Sequence, residues 1–143
     1  IKPDVVIGPD HKLYPESHPD HLRVGEAVSK AYFMCSNVNM MKSVGATQIA
    51  KPTVLAYYFT GKPNRFVKIT KKDFEKTKAA YACFVSQCPP PDNGKSLMLY
   101  MRLKVRLNGL RSFHIRADAF RVMNNMHIHC CGEAEDTAIR RPL

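Results

Sequence analysis

The side chains with the most chemistry to offer form a basic and aromatic set. Tyr57, Tyr58 and Phe59 are consecutive, and Arg65 and Lys68 follow shortly after. Tyr100, Arg102, Lys104 and Arg106 alternate along a second segment, with Arg111 and Arg116 beyond it. Rings that stack bases, interleaved with cations that neutralise phosphates, are what single-stranded nucleic acid requires. Stacking contributes ~1–3 kcal/mol per base, and each phosphate contact adds salt dependence. The plainer reading has the tyrosines capping a core with their hydroxyls in water and the cations solvated or facing an acidic protein.

Other clusters offer less. His127-x-His129-Cys130-Cys131 places four potential zinc ligands close together, with Cys83 and Cys88 as further donors. A zinc site needs ligands converging in a tetrahedron, and adjacent cysteines point apart, so no metal is expected. His11, His18 and His21 read as solvated loop histidines. Cys35 and His114 could pair as nucleophile and base, but no oxyanion or orienting motif accompanies them. Asp118 lies between Arg116 and Arg121 and suggests a structural ion pair. Gly94-Lys95-Ser96 lacks the preceding Gly of a phosphate loop and its strand–helix context. These absences predict a non-catalytic protein without a cofactor.

The chain has 143 residues and a formal charge of +10. That length suits one domain with a real core. Residues 51–125 hold fifteen Lys/Arg against four Asp/Glu, so the excess sits in the middle of the chain. Nucleic acid is the commonest partner of such a surface. Five cysteines, an odd count, predict reduced thiols and an intracellular setting. A start at Ile1 suggests an excised domain, and no apolar run approaches the ~18–20 residues of a membrane helix.

The elements that would position these residues follow from pattern. Prolines at 3, 9, 15 and 19 predict an extended arm over residues 1–26. Residues 27–44 predict one bent strand or two short ones. Lys51–Thr60 is rich in β-branched and aromatic residues; Gly61-Lys62-Pro63-Asn64 is a turn, and Arg65–Ile69 completes a hairpin. Thr70 with Asp73 marks a helix start, and Phe74, Thr77, Tyr81, Phe84, Val85 and Cys88 continue one helical face. From Leu97 to Leu107 every odd residue is apolar, while Tyr100, Arg102, Lys104 and Arg106 alternate with them, which predicts a long strand with its cations outward. Asn108-Gly109 reads as a turn and Arg111–Met123 as a last strand, bulged near Ala119-Phe120. The order β-β-β-α-β-β is that of an all-β, five-stranded OB-fold Greek-key barrel with one inserted helix. It would occupy 27–125, with 126–143 as a helix or tail for partner contact.

Val105, Arg106 and Gly109, then Arg111, Ser112 and Phe113, then Ala119, Phe120, Arg121 and Val122, with Asn124 or Asn125 and His127 beyond, form a run of about 25 residues. This run resembles the last hairpin of the middle subunit of replication protein A and its telomeric CST counterpart, in a diverged member of the insect telomere-capping kind. The resemblance implies a nuclear, chromosome-end protein that binds single-stranded or terminal DNA. It also implies pairing with a small OB-fold subunit through Phe120, Val122, Met126 and Ile128. An OB-fold scaffold without nucleic-acid contact is the alternative, and an RNA-binding barrel a third reading.

Overall fold

The computed structural model describes residues 1–13, 18–124 and 126–127. Its elements are β1 (Val5–Pro9), α1 (Pro19–Met34), α2 (Val38–Ser43), β2 (Val54–Tyr58), β3 (Arg65–Lys68), α3 (Lys71–Ala82), α4 (Lys95–Arg111) and β4 (Ala117–Met123). The strands form one mixed sheet in the order β1-β2-β4-β3. β1 runs parallel to β2, Val5 opposite Val54 and Pro9 opposite Tyr58, and β2 runs antiparallel to β4, Leu55 opposite Met123. A barrel closes on itself, whereas this sheet leaves β1 and β3 as edges. The expectation of a five-stranded all-β OB barrel is therefore overturned: the fold is α/β, with four helices among the described residues.

The long strand at 97–107 is the middle of α4. Leu, Met, Lys and Arg are strong helix formers, and Val105 is the one β-branched residue in the segment. Apolar residues at every second position step about 200° around a helix, so they fill two sides of it. Leu97, Met101 and Val105 continue into Asn108 and Gly109 as the inward row. Leu99, Leu103 and Leu107 form an outward row, 57–58% exposed. The cations divide in the same way. Arg102 and Arg106 share one side of α4; Tyr100 and Lys104 share another, with the ammonium 5.7 Å from the ring centroid. Asn108-Gly109 lies in the last helical turn, and Gly109 admits close backbone: a Cβ there would stand 2.6 Å from the His114 carbonyl oxygen.

Other expectations are corrected by local chemistry. The 1–26 arm contains β1 and the first half of α1. Pro19 opens α1 at a position where a missing N–H costs nothing. Residues 27–44 are the rest of α1 and α2, the latter capped by the Asn37 side chain. The 51–69 pair is not a hairpin, because β4 lies between β2 and β3. Asn64 fixes this arrangement: its amide accepts from Val122 N at 2.7 Å and donates to Val122 O at 3.0 Å. α3 starts as its capping box predicts, with Thr70 and Asp73 reciprocally bonded, but ends at Ala82. β4 alternates strictly between buried and half-buried residues, with no phase change at Ala119-Phe120.

The chain forms two compact units. One comprises Ile1–Arg65 and the described residues from Phe120 onward; the other is Phe66–Ala119. The first unit's core is Tyr32, Leu55, Tyr57 and Met123, flanked by Val6 and Val28. Each such large apolar side chain contributes about 1.5–3 kcal/mol on burial. Two glycines seat α1 against β1. A Cβ on Gly8 would lie 2.9 Å from Val28 Cγ1, and one on Gly25 would lie 2.6 Å from the Pro9 carbonyl oxygen. In the second unit, Phe74 of α3 and Val105 of α4 are buried.

Candidate active site

In open α/β sheets, ligands gather beyond the carboxyl ends of parallel strands. Here those ends are Pro9-Asp10-His11 after β1 and Phe59-Thr60 after β2. The Asp10 N–H donates to Tyr58 O at 3.0 Å and ties the two ends together. Phe59 takes a left-handed φ of 52°, a conformation that costs energy for a residue with a side chain and that clusters at functional sites.

A buried ion pair organises this end of the first unit. Arg121 of β4 donates through Nε to Asp10 Oδ2 at 2.9 Å and through Nη2 to Oδ1 at 2.6 Å, and both side chains are under 5% exposed. The remaining guanidinium nitrogen, Nη1, reaches Met123 Sδ at 3.1 Å, and the group lies 4.6 Å from the centre of the Tyr57 ring. Burial alone would raise the Asp10 carboxyl. Hydrogen bonds from Arg121, Thr60 and the Lys12 N–H outweigh it and hold the group below the usual aspartate range. Tyr57 is also fixed by a hydrogen bond between its hydroxyl and Ser29 of α1.

His11 stands beside this pair, its ring edge-on to Tyr57 with centroids 5.5 Å apart. Burial pushes its pKa down, Asp10 opposes this, and Arg121 and Lys12 reinforce it. The imidazole is therefore neutral at pH 7, and its buried Nδ1 has no hydrogen-bond partner among the described residues. A neutral imidazole has the chemistry of a proton acceptor near pH 7.

Two more histidines open α1. His18 is the N-cap, accepting from Asp20 N at 3.3 Å, and its ring stacks on His21 at 4.7 Å. His21 lies one turn before Gly25 on the same side of α1, the side that meets Pro9 and His11. These three histidines were expected to be solvated loop residues. His18-Pro19-Asp20-His21 carried the missed signal: Pro at the first helical position and an acid in the first turn mark a helix start. His18, Asp20 and His21 have metal-ligand chemistry, although no three His, Cys, Asp or Glu are grouped as a metal site among the described residues.

The sequence-derived nucleic-acid residues are spread over both units. In the first, Tyr57 is 2% exposed in the core, Tyr58 is at the surface against Phe59, and Arg65 is half-buried. In the second lie Lys68, Tyr100, Arg102, Lys104, Arg106, Arg111 and Arg116. Arg111 rests 5.5 Å from the Phe66 ring. Of the residues assigned to a partner interface, Phe120 and Val122 are half-buried in β4 and Met126 is exposed. Ile128, His129, Cys130 and Cys131 lie outside the described residues. Arg121 pairs with Asp10, while Asp118 instead accepts from the Ala119 N–H. The Cys35 thiol donates to Tyr32 O, and burial pushes its pKa up, opposite to an activated nucleophile.

No family model matches the sequence. A diacetylchitobiose deacetylase from Thermococcus kodakarensis is 31% identical over 134 residues, covering 91% of this chain and 49% of the relative. A solved structure, N,N'-diacetylchitobiose deacetylase from Pyrococcus horikoshii with its inhibitor MPG, superposes with a TM-score of 0.71 at 28% identity, covering 89% of this chain and 48% of that one. The chain thus spans about half the length of the relatives it matches. These similarities overturn the resemblance to the replication protein A and CST subunits, which rested on about 25 residues read as strands. The expected single-stranded DNA binding, chromosome-end role, small OB-fold partner and lack of catalysis fall with it, since both relatives are enzymes acting on a sugar. Over some nine-tenths of its length, this chain is similar to diacetylchitobiose deacetylases.

Proposed function

We propose that this chain takes part in hydrolytic removal of an acetyl group from an N-acetylated amino sugar of the diacetylchitobiose type. The single observation that carries this reading is the similarity along 91% of the chain to a deacetylase of that substrate. In the reaction, water adds to the acetyl carbonyl and loses a proton. The C–N bond then breaks, acetate departs, and the amine nitrogen takes up a proton. A group that accepts a proton at neutral pH is needed, and His11 supports that role through its neutral ring beside the carboxyl ends of β1 and β2. Asp10 and Arg121 position it by fixing the end of β1 and the Tyr57 ring against which it rests.

The test is incubation of the protein with diacetylchitobiose, following acetate and free amine together. Equimolar release of both is expected. His11→Gln should lower kcat by about 100-fold or more, the usual contribution of a general base, with the far-ultraviolet spectrum unchanged. No acetate from the wild-type protein, or full activity in His11→Gln, counts against the substrate class or the assigned residue respectively.

A further inference from the structure

The second unit poses a separate electrostatic problem. Between Phe66 and Ala119 the chain carries eleven Lys/Arg and four Asp/Glu. A cavity of about 130 Å³ within this unit is lined by Lys71, Phe74, Glu75, Arg102, Arg106 and Arg116. Four cationic residues thus line one space with one carboxylate residue, and Lys71, Arg102 and Arg106 are also exposed to solvent. Among the described residues, the side chains of Lys71, Arg102, Arg106 and Arg116 make no hydrogen bond or ion pair. Elsewhere, by contrast, Arg121 is fully paired.

The start of α3 adds an independent oddity. A helix N-terminus is the positive end of its dipole and favours acidic residues, yet α3 begins Lys71-Lys72. Asp73, the third helical residue, supplies one negative charge there, its carboxylate bonded to the Thr70 N–H and hydroxyl. Positive charge therefore converges on the cavity from the α3 dipole, from Lys71, from two successive turns of α4 and from Arg116.

We infer that this cavity binds a small tetrahedral oxyanion of the phosphate class, a ligand that acetyl removal from a neutral sugar does not itself need. Guanidinium groups grip phosphate oxygens in paired hydrogen bonds, and three of them with one ammonium offer many donors to such a group. The lining's charge is +3, counting four cations and Glu75. Phosphate, between about −1 and −2 at neutral pH, offsets more of it than a carboxylate can. The space, about 130 Å³, is small enough to suit a single such group.

The probe is inorganic phosphate, with sodium chloride and sodium acetate at matched ionic strength. Thermal unfolding and the phosphorus-31 line width are read on the wild-type chain, on Arg102→Gln/Arg106→Gln and on Arg116→Gln. Millimolar phosphate should raise the wild-type Tm by several degrees above both other salts and broaden the phosphorus signal. Both effects should vanish in the double variant and weaken in Arg116→Gln, which also serves if the double variant fails to fold. An equal phosphate shift in wild type and variants would show general salting-out and overturn the site. So would acetate matching phosphate, or an unbroadened phosphorus line.

Discussion

The two units handle arginine in opposite ways. In the first, Arg121 is buried, meets a carboxylate through two hydrogen bonds and stacks on a tyrosine. In the second, Arg102, Arg106 and Arg116 share a cavity with Lys71 and find no such partner among the described residues. A charge that has been removed from water and matched internally serves the fold. Cations gathered at the surface without a protein partner stay available to an anion from outside. The contrast separates a structural arginine from arginines left in contact with solvent.

The sharpest way to break this comparison is Arg121→Met. It leaves the Asp10 carboxylate buried without its counter-ion and should cost about 3–5 kcal/mol, read from urea unfolding. If the loss is below 1 kcal/mol, the pair is not what holds the strand ends together. Gly25→Ala ranks next. The added methyl meets backbone at Pro9, and the resulting shift of α1 should cost about 1–3 kcal/mol while displacing the His11 ring resonances.

Acid titration of stability sharpens the same contrast. Asp10, held below its ordinary value of 3.8, contributes stability that is complete above that pH and is lost as pH falls through its lowered folded value. His11, held below 6.5, must charge on acidification, so its share is lost earlier, as pH drops from 6.5 toward its own lowered value. Unfolding midpoints should therefore decline in two stages on the acid side, and Arg121→Met should flatten the lower one. The smallest effect belongs to Arg106→Gln. In phosphate-free buffer it should leave Tm unchanged or slightly raised, because it removes a repelled charge; a clear fall would assign Arg106 a structural role.

The legible parts of the fold were those written in local chemistry. The Thr70–Asp73 capping box marked the start of α3, and the β-branched and aromatic run at 54–58 marked β2. α4 was misread because alternation alone cannot exclude a helix whose two sides are both apolar. Its scarcity of β-branched residues was the better guide. Of the candidate site, the histidines were visible as residues but not as a group, since their placement depends on a helix start within a proline-rich stretch. The Asp10–Arg121 pair lay beyond reach, because nothing near either residue in the sequence points to the other. The position of β4 between β2 and β3 was equally hidden, for it rests on a side-chain bridge from Asn64 to Val122.

That distant ion pair has a consequence for biosynthesis. Arg121 follows Asp10 by 111 positions, so at ribosomal speed it is made roughly ten seconds later. Throughout that interval the aspartate has no counter-charge and stays hydrated, and β2 lacks its antiparallel neighbour. The nascent first unit thus waits on completion of the second, and a translational pause downstream of Ala119 would prolong the exposure of its unfinished sheet edge.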